Sequence, residues 1–151
     1  MHTASVIRLG TPADYAAAAA VYRRASLSNA GDRDNLLTHP EFLVLPPDGI
    51  ADGRTHVAEE DGSVVGFATW VETADGIDLD DVFVDPDWRR RGIGAALVAR
   101  IVDVLRARGA RRLEVTANPH ALPFYRSVGF VEVGRAVTQF SDAPRMALVI
   151  R

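Results

Sequence analysis

No cysteine occurs in the 151 residues, which removes disulfides, thiolate metal ligands and a thiol nucleophile, and leaves the redox compartment undecided. No run approaches the roughly 20 apolar residues that span a bilayer, and the opening MHTASVIRLG lacks the apolar stretch of a secretory leader. Positive charge is not in excess either: 17 basic side chains face 20 acidic ones, a net charge of −3. General attraction to nucleic acid or anionic lipid is therefore not expected, and any basic site must be local. A cytoplasmic protein with neither a membrane nor a nucleic-acid partner is the expectation. The composition that remains, 48% apolar and 25% charged, is that of an ordinary globular domain. The length suits one core that buries roughly two thirds of the unfolded surface. With no linker, repeat or compositional break, residues 1–151 are expected to form a single domain.

Along the chain the periodicity changes in a definite order. Ser5 to Leu9 alternates as a short strand, and TPAD follows with Thr11 at an N-cap, Pro12 at the first helical position and Asp14 at the third. A helix is expected from there to about Arg24, its AAAAA run giving strong propensity and a shallow packing face. Residues 28–53 are irregular, with one short helix around Asp34 to Leu37. THVAEE, SVVGFATWVE and IDLDDVFV then read as three antiparallel strands turned at Asp61-Gly62 and at Ala74-Asp75-Gly76. A helix follows over residues 91–108, with Leu97, Ile101, Val104 and Leu105 on one face and Gly109 as its stop. RRLEVTA forms the next strand, so strand, helix and strand make a βαβ unit. A short helix ending at Gly129 and two closing strands, FVEVG and RMALVIR, complete the chain. The expected fold class is α/β, or α+β with a mixed sheet.

Between the third meander strand and the long helix stands WRRRGIGAAL. A turn at this place binds anions, because the first amides of a helix lack partners and point outward at the positive end of its dipole. Gly92 and Gly94 leave that backbone bare. A P-loop is excluded, since neither the lysine nor the hydroxyl follows, and Leu97 breaks the dinucleotide G-x-G-x-x-G. A nucleic-acid patch would want basic breadth that the composition lacks.

LDDVFVDPDWRRRGIGAALV resembles the signature of the GNAT superfamily of N-acetyltransferases, R/Q-x-x-G-x-G/A after V-x-P: Arg89, Gly92 and Gly94 follow Val84, Asp85 and Pro86. Asn118 to Phe130, NPHALPFYRSVGF, resembles the second family segment, N-x-x-A-x-x-F-Y-x-x-x-G-F. The two stand in the family's order and cover, with the flanking elements, essentially the whole chain. The resemblance implies a GNAT-like three-layer fold, a central mixed twisted sheet of about seven strands flanked by about four helices. It implies acetyl-CoA as acetyl donor and no metal. The pyrophosphate would lie on the amides of Arg90, Arg91, Gly92, Ile93, Gly94 and Ala95, with Arg89, Arg90 and Arg91 as candidate phosphate contacts or plain surface charges. The pantetheine arm would pair with Val82, Phe83 and Val84, the Val84 amide holding the oxyanion. Asn118 would bond the pantetheine region or cap the following helix, and Tyr125 would protonate the departing thiolate as general acid.

The base is open among Asp78, Asp80, Asp81 and Glu114. Strand alternation places Asp78 and Asp80 on one face and Asp81 on the other in the absence of a bulge; His120 reads as a surface turn histidine. The implied reaction is direct attack of a primary amine on acetyl-CoA in a ternary complex. The acceptor, a small molecule or a protein amine, is expected between residues 25–47, the hairpin 70–77 and the strands around 135–145. Trp70 and Tyr22 are candidate wall or core residues, and Asp32, Asp34, Glu72 and Asp75 would suit a cationic acceptor. Longer acyl donors are not excluded, and a homodimer is an option that relatives use. The alternative is a noncatalytic acyl-CoA-binding or regulatory module of the same fold, against which Tyr125 speaks.

Overall fold

A computed structural model describes residues 5–137 and 142–151. Seven strands form one sheet in the order β1-β2-β3-β4-β5-β7-β6, with β1 at Val6–Leu9, β2 at Thr55–Glu60, β3 at Ser63–Thr73, β4 at Gly76–Val84, β5 at Arg112–Thr116, β6 at Val131–Val137 and β7 at Asp142–Val149. The sheet is mixed, since β4 and β5 run parallel while β1–β2, β2–β3, β5–β7 and β6–β7 are antiparallel. Among the described residues five α-helices accompany it: α1 Tyr15–Leu27, α2 Ala30–Thr38, α3 Asp48–Ala51, α4 Ile93–Ala107 and α5 Leu122–Ser127. The sequence leads one to expect about four, and α3 is the addition. The contacts divide the chain into two compact units, one of residues through Thr69 with Asp81–Ile101, the other of Trp70–Asp80 with Val102–Arg151.

In the first unit the alanine run of α1 has a packing consequence. Ala18 and Val21 join Leu45, Ile50, Val57 and Phe67 in a buried cluster, with Tyr15, Tyr22 and Phe83 packed against it. A full-length side chain at Ala18, which has no exposed surface, would hold the helix off the sheet. Full burial of a residue such as Phe67 contributes about 1.5–3 kcal/mol. The Tyr15 hydroxyl donates to the Leu45 carbonyl (2.5 Å) and the Tyr22 hydroxyl to that of Phe42 (2.8 Å), pinning the proline-rich segment onto α1. Thr11 stands at the N-cap and Pro12 and Asp14 at the first and third positions as expected, but of a 3-10 turn, Pro12–Asp14, that leads into α1. The Asp14 carboxylate accepts from the Thr11 amide (2.8 Å) and hydroxyl (3.2 Å) and forms a two-pronged pair with Arg8 (2.8 and 2.9 Å). The guanidinium, more than the Thr11 bonds, holds this carboxyl well below the usual carboxylate range. Asp61 and Gly62, with φ of +50° and +81°, turn β2 into β3, the left-handed pair that a two-residue hairpin demands.

In the second unit β5 and β7 pair from Arg112↔Val149 to Thr116↔Arg145, and Leu105, Leu113, Val115 and Met146 are buried. The C-terminus of α4 closes as expected: Gly109 takes φ +84°, and the Ala110 amide donates to the Leu105 carbonyl at 3.0 Å. The last strand begins earlier than RMALVIR, at Asp142, and contains Pro144. The ring removes a donor from the strand, while the Pro144 carbonyl still accepts from the Ala117 amide at 2.9 Å.

Candidate active site

The Asp85 amide, one residue past β4, donates to the Val65 carbonyl of β3 at 2.7 Å. Backbone groups alternate sides along a strand, so the Val84 amide, one residue earlier, turns to the strand's opposite edge, and Val82 with it. β4 and β5 pair at Asp78↔Glu114, well before Val82. The amides expected to meet the donor's thioester arm are thus on the edge of β4 that faces away from β3.

A 3-10 turn at Pro86–Trp88 follows. Arg90 and Gly92 then adopt left-handed φ values of +64° and +77°, and α4 begins at Ile93, two residues later than the sequence suggests because this turn intervenes. The Ala96 amide makes the first helical bond, to the Gly92 carbonyl at 3.0 Å. The amides of Ile93, Gly94 and Ala95 precede it and have no acceptor within the helix. A Cβ placed on Gly92 would meet nothing within 4 Å, so conformation, and not internal space, is what requires glycine there. A left-handed non-glycine residue such as Arg90 costs about 1–2 kcal/mol. Such strain is commonest at ligand sites, where the turn shape serves binding. The site therefore presents three amides without a helical acceptor among the described residues, an aligned dipole from a 15-residue helix and a left-handed turn, a donor set that fits a polyphosphate.

The three arginines differ. Arg89 donates to the Ser28 hydroxyl (2.8 Å). Arg91 lies over the Trp88 ring, 4.7 Å from its centroid, an attraction of about 0.5–1 kcal/mol at an exposed position. Arg90 carries the strained turn itself.

In the second unit Tyr125 lies on α5 and is 8% exposed, its ring edge-on to Phe124 and Phe130 at 5.2 and 5.5 Å. Asn118 is exposed, and its side chain makes no capping bond to the turn that follows. Asn118 nevertheless stands at the N-cap position of that turn, its carbonyl accepting from the Ala121 amide at 2.9 Å. His120 is exposed, as expected of a turn histidine.

Among the four candidate acids, Asp78 and Glu114 meet a residue that sequence reasoning placed only in a boundary segment. Arg145 donates to both oxygens of Asp78 (2.9 and 2.6 Å), to Glu114 (3.2 Å) and to the Thr116 hydroxyl (3.0 Å). Arg112 adds a second contact to Glu114 at 3.1 Å. The pairing registers carry this assembly: Asp78 stands opposite Glu114 and Thr116 opposite Arg145, so all four side chains share one sheet face. Hydrogen bonding to Asp78, ahead of its Coulomb attraction, raises the Arg145 guanidinium above its ordinary value. Asp80 is exposed and Asp81 half-buried.

Of the suggested acceptor residues, Tyr22 is committed to Phe42 and packs edge-on to Phe83 (4.9 Å). Trp70 is 4% exposed under Arg108; Trp70 is a core residue and Tyr22 is half-buried against the core. Asp34, Glu72 and Asp75 are exposed and Asp32 half-buried. Residues 138–141, part of the expected acceptor boundary, lie outside the described residues.

With these elements in place, comparison with known proteins defines the class. The chain belongs to the acetyltransferase (GNAT) family, whose model matches residues 21–130. It is similar to the [ribosomal protein bS18]-alanine N-acetyltransferase of Escherichia coli strain K12, 38% identical over 76 residues, 48% of this chain and 51% of the relative. It is also similar to the streptothricin acetyltransferase of Streptomyces lavendulae, 37% identical over 112 residues, 63% of this chain and 59% of the relative. The chain thus spans about half the length of these two curated relatives. In fold it matches the structure of yncA from Salmonella typhimurium with its cofactor acetyl-CoA, at a TM-score of 0.72 and 23% identity, covering 99% of this chain and 95% of that one.

Proposed function

We propose that this protein transfers the acetyl group of acetyl-CoA to a primary amine by direct attack within a ternary complex, and that residues 1–151 act as one domain in doing so. The observation that carries this reading is the row of amides at Ile93, Gly94 and Ala95, without a helical acceptor, behind the left-handed Arg90 and Gly92. It follows directly on a strand whose Val82 and Val84 amides turn away from β3. Two relatives named for acetylating an alanine of a ribosomal protein and streptothricin support an amine acceptor, as a neighbour of the same fold with acetyl-CoA supports the donor.

The roles follow from chemistry. The α4 amides and the Arg90–Gly92 turn hold the pyrophosphate, with the guanidiniums of Arg89, Arg90 and Arg91 near the phosphates and Asn118 on the pantetheine region. The Val84 amide donates to the carbonyl oxygen as the amine nitrogen bonds to carbon, a contact worth about 2.7–4 kcal/mol in the transition state. The C–S bond breaks as the tetrahedral intermediate collapses, and the Tyr125 hydroxyl gives its proton to the sulfur. The ammonium proton leaves through one of the strand acids Asp78, Asp80, Asp81 or Glu114. Asp78 is disfavoured, because both its oxygens already accept from Arg145. No metal is required for any of these steps, and a cytoplasmic location suits them.

The test is an acetyl-CoA turnover screen over an amine panel that includes an alanine-initiated peptide and streptothricin, repeated with Tyr125→Phe. At least one amine should release CoA with the wild type, and the variant should lose about 10²-fold or more in kcat. Full activity in the variant removes Tyr125 as the acid. Binding of acetyl-CoA without turnover of any amine favours the noncatalytic module instead.

A further inference from the structure

We infer that Arg24, in the last turn of α1, is a positioning residue for the donor cradle, with Ser28 as its second strut; the inference rests on the functional reading above. Both lie in the first compact unit with everything they hold. Arg24 Nη1 donates to Asp85 Oδ2 at 2.5 Å and Nη2 to Asp87 Oδ2 at 3.0 Å. Asp85 is the residue on which the loop turns. Its amide is tied to the Val65 carbonyl (2.7 Å), its carbonyl accepts from the Trp88 amide (2.8 Å), and its Oδ1 accepts from the Asp87 amide (3.0 Å). Four residues on, Arg89 is held by the Ser28 hydroxyl, which itself donates to the Ala25 carbonyl at 2.6 Å. The end of one helix therefore grips residues 85–89 at two points, immediately before the Arg90–Ala95 amide row.

The exposures show which contact matters. The Arg24 side chain is 53% exposed and that of Asp87 77%, whereas that of Asp85 is 10% exposed. The Arg24–Asp87 pair is a surface contact of small value. The Arg24–Asp85 pair neutralises a carboxylate largely removed from water, and loss of the guanidinium leaves that charge to be resolvated. The cheapest way to resolvate it is to open the 85–89 turn. That opening shifts the amides behind it, and an anion cradle built from fixed backbone dipoles loses affinity when displaced by about an ångström.

The test measures coenzyme A binding by calorimetry together with melting temperature for wild type, Arg24→Ala, Ser28→Ala and Arg8→Ala. Arg8→Ala breaks the other buried arginine–aspartate pair of the same unit and controls for general destabilisation. Arg24→Ala should raise the Kd for coenzyme A about tenfold, Ser28→Ala about threefold, and Arg8→Ala should leave it unchanged while lowering the melting temperature. Asp85→Asn added to Arg24→Ala should bring little further loss, since the two act through one contact. In turnover, Arg24→Ala should raise KM for acetyl-CoA with kcat within about twofold, and Arg24→Lys should restore part of the affinity. If wild type binds coenzyme A and both Arg24→Ala and Ser28→Ala bind within twofold of it, the inference is overturned. It is overturned equally if Arg8→Ala weakens binding as much as they do. Should Arg24→Ala not fold, Ser28→Ala alone decides. A wild type that does not bind coenzyme A removes the functional reading, and this inference with it.

Discussion

His56 on β2 is 6% exposed, and its Nδ1 has no hydrogen-bond partner among the described residues. Burial, and secondarily the positive charge of Arg100, lowers its pKa below the ordinary 6.5. The unfolded chain therefore takes up a proton near pH 6.5 while the folded one resists, and stability falls as pH drops through that window, by at most about 1.4 kcal/mol per pH unit. Chemical denaturation at pH 7.5 and 5.5 should show wild type losing stability and His56→Leu losing less. Equal losses in the two would mean that His56 does not carry the effect. Because the φ of Gly92 is +77°, Gly92→Val should cost about 1–2 kcal/mol of stability as well as affinity for coenzyme A. Gly92→Asn, which tolerates the left-handed region, should keep most of the stability and still weaken binding. Melting curves beside binding isotherms separate the two costs.

At the scale of elements, β3 meets α4 through Gly66. A Cβ there would stand 3.0 Å from the Phe83 carbonyl oxygen and 3.3 Å from side-chain atoms of both Ile93 and Leu97. Backbone cannot yield as a side-chain tip can, so Gly66→Ala should cost about 1–3 kcal/mol and should weaken coenzyme A binding by moving the first turn of α4. Thermal melts with and without coenzyme A read both, and an unperturbed variant would show that the contact is slack. Elements such as α4 and the β2–β3 hairpin were legible because local signals agree with the tertiary answer: the Leu97, Ile101 and Leu105 stripe, Gly109, and Asp61-Gly62. By contrast α3 was not. Asp48–Ala51 has poor helix formers between prolines and glycines, and it is helical because Ile50 enters the core. α2 runs the length of Ala30–Thr38 through Gly31 and Asn35, launched by the Asn29 side chain accepting from the Gly31 amide (3.2 Å) and burying Leu36. The glycine turn ahead of α4 could be read from spacing, and Tyr125 was singled out by the resemblance of Asn118 to Phe130 to the second family segment. Arg24 and Arg145 could not, since their carboxylates lie 61 and 67 residues away in sequence and nothing local marks either arginine as paired.

At the scale of the whole molecule, positive charge is carried by a single residue type. All 17 basic residues are arginines, so the chain offers no lysine side chain for its own proposed chemistry. An amine acceptor must come from outside or from a chain terminus. Incubation with acetyl-CoA alone followed by intact-mass measurement should therefore show at most one added acetyl group, at the N-terminus. The same arginines set the response to acid. Asp14 is held ionised by Arg8, so its contribution is present above the ordinary carboxylate range near pH 4 and is lost as pH falls below it. The loss assigned to His56 begins higher, near pH 6.5. Denaturation midpoints from pH 8 to 3 should thus decline in two regions: His56→Leu should flatten the upper one alone, and Asp14→Asn the lower one alone. A wild-type profile with no decline between pH 7 and 5, or an Asp14→Asn variant still as acid-sensitive as wild type below pH 4, would reassign acid stability away from these two residues.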